Sequence, residues 1–281
     1  MTNGLSYKIV DVFTDRALAG NALCVVLGDV DGDEERMFAI ARETNLSETT
    51  FVTRTGDASY DVRIWTTGGE LPFAGHPSLG SAWALGPGRW TQTSPGATVV
   101  IEASESGAVM SQPDPVFTEV YPEDVTAGLG LPAASVPQAF VAEVGGTRHL
   151  LVPTDASIDR LDPDLRALGV STTAVRATGV GVFRRVDDAT LHARVFIPGV
   201  NVPEDPGTGS AAGPFGVLAR RLWSTDEDVV IVQGAEMGRP CRIEVHAEEG
   251  NVRVGGRVAP CAEGRFAFGV GTAPTVGSPT L

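Results

Sequence analysis

The sequence predicts an α+β protein built from two similar halves. Short runs rich in β-branched and aromatic residues alternate with segments whose apolar residues recur at helical spacing. In addition, residues 193–218 lie without gaps over a segment 131 positions upstream, which places Arg63 on Arg194 and Trp65 on Phe196. Both segments follow the order strand, turn, glycine-rich corner and helix of small residues. We interpret them as an internal duplication.

The first half is expected to begin with two strands and a helix. Residues 7–13 and 22–27 have strand composition, and Gly20 and Asn21 between them supply turn chemistry. A helix is predicted over 33–42, because acidic residues occupy its first turn and apolar residues follow at helical spacing.

Glu48 falls at the corner that follows this helix, directly before the strand-like run “TTFV”. A further strand is predicted over 60–67, and a turn then leads to His76 and Pro77. Proline suits the start of a helix, and the small residues at 80–82 would let that helix approach its neighbours closely. Corners of this kind present functional side chains.

The second half repeats the pattern. Residues 182–196 are typical of a hairpin with Asp187 and Asp188 in its turn, and a second small-residue helix begins near Gly209. Residues 110–125 carry three prolines without clear periodicity and indicate the crossing between halves. We therefore expect halves at 1–116 and 117–281, with a last strand that can return to the first half.

Composition excludes several classes of function. The net charge of −14 would repel the phosphates that supply most nucleic-acid affinity, so we expect no nucleic-acid partner. No apolar run approaches the roughly 18 residues that a membrane span requires. The N-terminal residues lack a basic region followed by an apolar run, so the expected location is the cytoplasm.

The cysteines and histidines do not indicate a metal site. Three cysteines are far apart and form no CxxC pair, so neither a disulfide framework nor a zinc knuckle is expected. The four histidines also lack ligand spacing. We expect no metal and no cofactor.

The corner “NVPEDPGTGSAA” (201–212) is typical of an anion site. Small residues allow close backbone approach, and a helix N-terminus offers unpaired N–H groups and partial positive charge. A Walker A loop is disfavoured, because Ser210 and Ala211 follow Gly209 where Lys and Ser or Thr are required. An ordinary helix cap by Asp205 or Thr208 is the alternative.

Glu48 and His76 are candidates for proton transfer. No Lys or Arg flanks Glu48, so burial and hydrogen bonds could raise its pKa toward neutrality, as a general acid/base requires. At a helix N-terminus the dipole disfavours imidazolium, which would keep His76 neutral. A capping or solvated glutamate and a structural histidine are the alternatives.

These motifs together resemble the PhzF family, which is named for the phenazine biosynthesis isomerase. The likeness runs from about Tyr7 to Gly271, and its specific motifs are “DVFTDRALAGNA” (11–22), “ARETNLSETTFV” (41–52), “ELPFAGHPSLGSAWAL” (70–85), “PEDPGTGSAAGP” (203–214) and “QGAEMGRP” (233–240). The resemblance implies a diaminopimelate epimerase-like fold. In that fold each pseudo-symmetric half is a curled, mostly antiparallel, barrel-like sheet around a central helix, and the active site lies in the cleft between them.

The resemblance also implies roles for residues. The family's isomerase moves a proton from C3 to C1 of trans-2,3-dihydro-3-hydroxyanthranilate with the glutamate of “NLSE”, which corresponds to Glu48. His76 and Asp205 match the family's partners in catalysis. The positions that bind substrate correspond to Gly75, Gly209 and Ser210. Family members resemble homodimers without metal, flavin or nucleotide, so a homodimer is expected.

Other functions remain as alternatives. The family's usual “GNP” is “GNA” at 20–22, a change in a turn. Epimerases of this fold place a cysteine beside each of two helix N-termini, and both corners here lack one, which excludes two-thiol racemisation. A PhzF-like isomerase of another small cyclic or amino-acid-like acid is the main alternative, and a non-catalytic ligand-binding homologue is the other.

Overall fold

The computed structural model describes residues 4–28, 32–121, 123–199 and 203–267. The helices are α1 (Glu34–Thr44), α2 (Gly75–Leu85), α3 (Glu123–Leu129), α4 (Leu165–Val175) and α5 (Gly209–Trp223). Strands of the first half are β1 (Ser6–Val12), β2 (Asn21–Leu27), β3 (Glu48–Gly56), β4 (Ser59–Thr66), β5 (Gly69–Leu71), β6 (Gly88–Thr93), β7 (Thr98–Ala103) and β8 (Gly107–Gln112). Strands of the second half are β9 (Val116–Val120), β10 (Ala139–Val144), β11 (Thr147–Pro153), β12 (Gly179–Asp187), β13 (Thr190–Phe196), β14 (Glu204–Asp205), β15 (Asp228–Gln233), β16 (Cys241–Glu248) and β17 (Asn251–Arg265).

The first half is a barrel that eight of the described strands close. β1 pairs with β2, β2 runs parallel to β3, β3 pairs with β4, and β4 runs parallel to β6. β6, β7 and β8 continue as antiparallel neighbours. The long strand β17 completes the ring, because Val252–Arg257 pair with β8 and Val258–Arg265 pair with β1.

The second half repeats this order. β10 pairs with β11, β11 runs parallel to β12, β12 pairs with β13, and β13 runs parallel to β15. β15, β16 and β17 follow as antiparallel neighbours, and β9 pairs with β10. β17 therefore contacts both halves. The prediction of two pseudo-symmetric halves is confirmed, whereas the boundary at residue 116 remains a prediction.

Each half encloses one of the two small-residue helices. α2 contacts β1, β2, β3, β6, β7, β8 and β17, and most of its residues are buried. α5 contacts β10, β11, β12, β16 and β17. Leu79 of α2 and Phe215 of α5 are fully buried. The predicted central helices are thus confirmed, and their glycines and alanines explain how a helix fits inside a sheet of this size.

The duplicated arginines make equivalent contacts. Arg63 on β4 pairs with Glu70 of β5, and Arg194 on β13 pairs with Glu204 of β14 through Nε and Nη2 at 2.8 and 2.9 Å. In each half the guanidinium thereby fixes the short strand that precedes a central helix. Such two-point pairs hold a defined orientation.

Two features differ from the sequence expectations. α2 begins at Gly75, so that Pro77 is its third residue and His76 lies inside the first turn. Proline is tolerated there because the first N–H groups of a helix have no intrahelical partner. α3 and α4 are additional helices that the sequence pattern did not predict. Among the described residues, no helix is long and apolar enough to cross a membrane.

Candidate active site

The N-termini of α2 and α5 meet at their glycines. A Cβ on Gly75 would lie 3.3 Å from both the carbonyl carbon of Gly209 and the backbone nitrogen of Ser210. A Cβ on Gly209 would lie 3.2 Å from the backbone nitrogen of His76. Only glycine allows this approach without displacement. The two positive helix ends thus face one region, which favours negative charge there.

Neither helix start is capped by a side chain. Ala74 occupies the N-cap of α2, and Thr208 occupies that of α5 without a capping hydrogen bond. The Thr208 hydroxyl instead donates to Oδ2 of Asp205 at 2.7 Å, and it accepts from Nε2 of Gln233 at 3.0 Å. The alternative of an ordinary cap by Asp205 or Thr208 is therefore wrong for these side chains.

Glu48 and His76 lie side by side in this region. Glu48 is the first residue of β3, and its side chain is 17% exposed; the His76 side chain is 5% exposed. Oε2 of Glu48 is 3.4 Å from Nε2 of His76. The structure therefore brings together two residues that are 28 positions apart in the sequence.

Asn21 joins His76 to Asp205. Its Nδ2 atom lies 2.8 Å from Oδ1 of Asp205, 3.0 Å from the carbonyl oxygen of Gly207 and 3.3 Å from Nδ1 of His76. Because the first two are acceptors, the amide must direct its nitrogen toward them. The amide nitrogen cannot accept a hydrogen bond, so a proton on Nδ1 of His76 would face a donor. The proton of the neutral ring therefore lies on Nε2 and faces Glu48.

Burial sets the protonation of these groups. It raises the pKa of Glu48 to about 8, with the nearby charge of Asp205 as a second cause. Burial lowers the pKa of His76 to about 3 and raises the pKa of Asp205 above its ordinary value. Both directions agree with those expected from the sequence, and at His76 the cause is burial. Glu48 can both take and return a proton near neutral pH.

Unpaired polar atoms concentrate here. Buried polar groups normally have hydrogen-bond partners, so orphaned atoms indicate where a ligand could supply them. In the described parts of the chain, nine buried side-chain atoms lack a partner, and most of them belong to residues in or touching this region: Asn21 Oδ1, Glu48 Oε2, His76 Nε2, Gln112 Oε1 and His149 Nδ1.

Several of these contacts were not predicted. Gln112 donates from Nε2 to the carbonyl oxygen of Gly209 at 2.9 Å, and His149 Nε2 lies 3.0 Å from the Ser210 hydroxyl. Asn21 and Gln233 fall inside the family motifs at 11–22 and 233–240, and this position could have identified them as site residues from the sequence. Gln112 and His149 fall in no motif.

Two groups of a histidine with two carboxylates occur in the second half. His192 Nε2 is 2.9 Å from Oε1 of Glu236, and His246 Nδ1 is 2.7 Å from Oδ1 of Asp228. Each histidine thus has a carboxylate neighbour among the described residues. The groups, which share none of the predicted site residues, are Asp159, His192 and Glu236, and Glu227, His246 and Glu248.

Comparison with known proteins gives matches over most of this chain. A family profile described as “Phenazine biosynthesis-like protein” (PhzC-PhzF) matches residues 10–264. The trans-2,3-dihydro-3-hydroxyanthranilate isomerase of Pseudomonas aeruginosa is 38% identical, over 92% of this chain and 98% of its own length. An uncharacterised isomerase of Mesorhizobium japonicum is 34% identical, over 93% of this chain and 98% of its own.

A solved structure supports the fold. The crystal structure of a PhzF-family protein of Bacillus anthracis superposes with a TM-score of 0.82, covering 95% of this chain and 100% of that one. Its 20% identity is evidence for shared architecture only. The profile match and the relatives above carry the assignment further: this chain belongs to the PhzF family of phenazine biosynthesis-like proteins and is an isomerase.

Proposed function

We propose that the protein moves a proton from C3 to C1 of trans-2,3-dihydro-3-hydroxyanthranilate without a cofactor. The observation that carries the proposal is the buried Glu48 carboxyl, whose pKa is raised to about 8 and which lies beside His76 at two facing helix N-termini. The 38% identical relative is named trans-2,3-dihydro-3-hydroxyanthranilate isomerase.

Glu48 is the proposed acid and base. Its carboxylate takes the C3 proton, and the electron pair of the broken C–H bond joins the π system of the ring. The resulting carboxyl then gives the proton to C1, so that Glu48 ends as it began and no charge is gained or lost. Transfer by one group requires that bulk water be excluded, which the burial of Glu48 favours.

The helix N-termini are the proposed site for the substrate carboxylate. That carboxylate is attached to C1, where negative charge accumulates when the ring loses its C3 proton. Backbone N–H groups of Gly75, Gly209 and Ser210, at the starts of α2 and α5, would stabilise it. Positioning both carbons against one side chain supplies a further part of the acceleration.

His76 and Asp205 are proposed to hold the substrate and tune Glu48. The Nε2–H of His76 faces the Glu48 carboxyl, and it can donate to that carboxyl or to the substrate. The Asp205 charge raises the pKa of Glu48. Asn21 links the two, because its amide contacts both side chains.

A related substrate is the second candidate. The 34% identical relative is named only as an uncharacterised isomerase, so family membership does not by itself specify the substrate. The test is to incubate the purified protein with trans-2,3-dihydro-3-hydroxyanthranilate and with a set of other small cyclic and amino-acid-like acids, and to follow each by proton NMR. Conversion of the first compound supports the proposal. Conversion of another acid alone would replace trans-2,3-dihydro-3-hydroxyanthranilate as the proposed substrate, and binding without conversion would contradict the proposed reaction.

We also propose that the protein is a homodimer, on the basis of the family resemblance. Light scattering on the purified protein should give twice the mass of one chain. A single-chain mass at micromolar concentration would contradict this.

A further inference from the structure

His149 lies next to the proposed carboxylate site and contacts Ser210. It lies on β11, its side chain is 3% exposed, and its Nε2 atom is 3.0 Å from Oγ of Ser210, the second residue of α5. Its other ring nitrogen, Nδ1, is buried and has no hydrogen-bond partner within the described residues. The ring therefore makes one hydrogen bond, and that bond is to Ser210.

The hydrogen bond has two arrangements in a neutral ring. Either Nε2–H donates to Ser210 Oγ and Nδ1 is a bare lone pair, or the Ser210 hydroxyl donates to Nε2 and Nδ1 carries an orphaned N–H. Buried N–H groups without a partner are rarer in proteins than acceptors without one. The first arrangement is therefore favoured. Burial lowers the pKa of His149 to about 4, so the ring is neutral at pH 7.

The first arrangement leaves the Ser210 hydroxyl proton free. Oγ accepts from His149, so its O–H bond points elsewhere. Ser210 is half-exposed, and its backbone nitrogen lies where α5 meets Gly75 of α2. The residue can then offer two donors, its hydroxyl and its backbone N–H, to an anion at the helix start.

We propose that His149 is a positioning residue that holds the Ser210 hydroxyl as a donor to the substrate carboxylate. The inference rests on the proposed function for the carboxylate's place in the site. Without the imidazole, the hydroxyl can rotate toward other acceptors, and the carboxylate loses an oriented hydrogen bond. His149 itself touches neither substrate nor reacting carbon.

The first test measures binding of 2-aminobenzoate, an aromatic carboxylate that cannot undergo the reaction. A hydrogen bond to a charged group contributes substantially to binding. His149→Phe and Ser210→Ala should therefore each raise the Kd for 2-aminobenzoate by about tenfold. The double variant should be no weaker than Ser210→Ala alone, because both changes remove one interaction. His149→Gln retains a donor and should restore most of the affinity. Binding of uncharged 2-aminobenzamide should change little in any variant.

The second test reads the tautomer directly in the wild-type protein. Nitrogen-15 chemical shifts at pH 7 should show a proton on Nε2 of His149 and none on Nδ1, with the resonances assigned by comparison with His149→Gln. In turnover, His149→Phe should raise KM and lower kcat/KM, because the oriented hydrogen bond to the carboxylate is lost both on binding and as charge accumulates. Additive losses in the double variant would overturn the proposal. A proton on Nδ1 in the wild type would overturn it even where His149→Phe folds poorly.

The outcomes separate this proposal from the reaction itself. If 2-aminobenzoate binding depends on His149 and Ser210 but the dihydro substrate is not converted, the reaction assignment fails and the positioning role stands. If the wild type converts the dihydro substrate and His149→Phe leaves KM and 2-aminobenzoate affinity unchanged, the positioning role fails and the reaction stands.

Discussion

Nε2 of His76 lies 3.4 Å from Oε2 of Glu48, and neither atom has a hydrogen-bond partner among the residues that the structure describes. The pair is therefore adjacent but not engaged. A donor and an acceptor that are buried and unpaired at one place are suited to a substrate that supplies both partners. The relationship links the two corners that the sequence analysis identified separately.

The pH dependence of the rate should follow Glu48. The base must be ionised to take a proton, and its pKa is raised to about 8, so kcat/KM should rise with pH up to about 8 and then level off. His76 does not contribute, because its pKa of about 3 keeps it neutral throughout. The measurement is a pH–rate profile from 6 to 9, corrected for titration of the substrate's amine in the absence of protein. A flat corrected profile would contradict the assignment.

Stability should depend on pH through the same group. In the unfolded chain Glu48 ionises near 4.5, whereas in the folded protein it holds its proton to about 8. The contribution of the protonated Glu48 to the free energy of unfolding is therefore fully present below pH 4.5 and is lost as the pH rises through 8. Each pKa unit of difference corresponds to about 1.4 kcal/mol. The free energy of unfolding of Glu48→Gln, relative to that of the wild type, should therefore rise by several kcal/mol from pH 5 to pH 9. Urea unfolding of both proteins at each pH checks this; a pH-independent difference would argue against the raised pKa.

Asp205→Asn should lower the pKa of Glu48, because the charge of Asp205 helps to raise it. The midpoint of the pH–rate profile should therefore move to lower pH. Turnover should also fall, since an amide cannot accept from both Asn21 and Thr208 with the same geometry. The exposed Glu43→Gln is the matched control for loss of one carboxylate. An unchanged midpoint with unchanged turnover would reduce Asp205 to a structural acceptor.

Gly75→Ala should separate the two helix starts. The new Cβ would lie 3.3 Å from backbone atoms of Gly209 and Ser210, which cannot rotate away, so we expect a loss of about 1–3 kcal/mol and a raised KM. Gly169→Ala in α4 is the control, because its Cβ would meet Pro198 at an ordinary 3.6 Å. Thermal unfolding and steady-state kinetics measure both effects. If the two alanine variants behave alike, the close approach of the helices has no role in binding.

The sequence predicted what depends on local patterns. The corner at Glu48, the helix that carries His76 and the helix that starts at Gly209 each have their signal within a few residues, and the duplication predicted their equivalence. Contacts between distant segments were not predictable in this way. Asn21 meets His76 across 55 positions, and His149 meets Ser210 across 61. Which polar groups become partners at that separation is decided by the closure of the barrels, which no local pattern encodes.

The neutrality of His76 shows the same limit. The helix dipole was a local argument and gave the right direction, but the cause is burial by the surrounding barrel. Burial at this position depends on strands from both ends of the chain, including β1 and β17, which pack on α2.

Isotope transfer tests the central claim, that Glu48 carries the proton, most directly. Wild type, Glu48→Gln and the control Glu43→Gln are each mixed with trans-2,3-dihydro-3-hydroxyanthranilate in deuterium oxide, and the ring protons are followed by NMR. We expect conversion by wild type and by Glu43→Gln, with the protium of C3 retained at C1 because water is excluded from the transfer. Conversion by Glu48→Gln, which should remain folded by circular dichroism, should be at least about a hundredfold slower. A folded Glu48→Gln variant that converts the substrate at the wild-type rate would contradict the account.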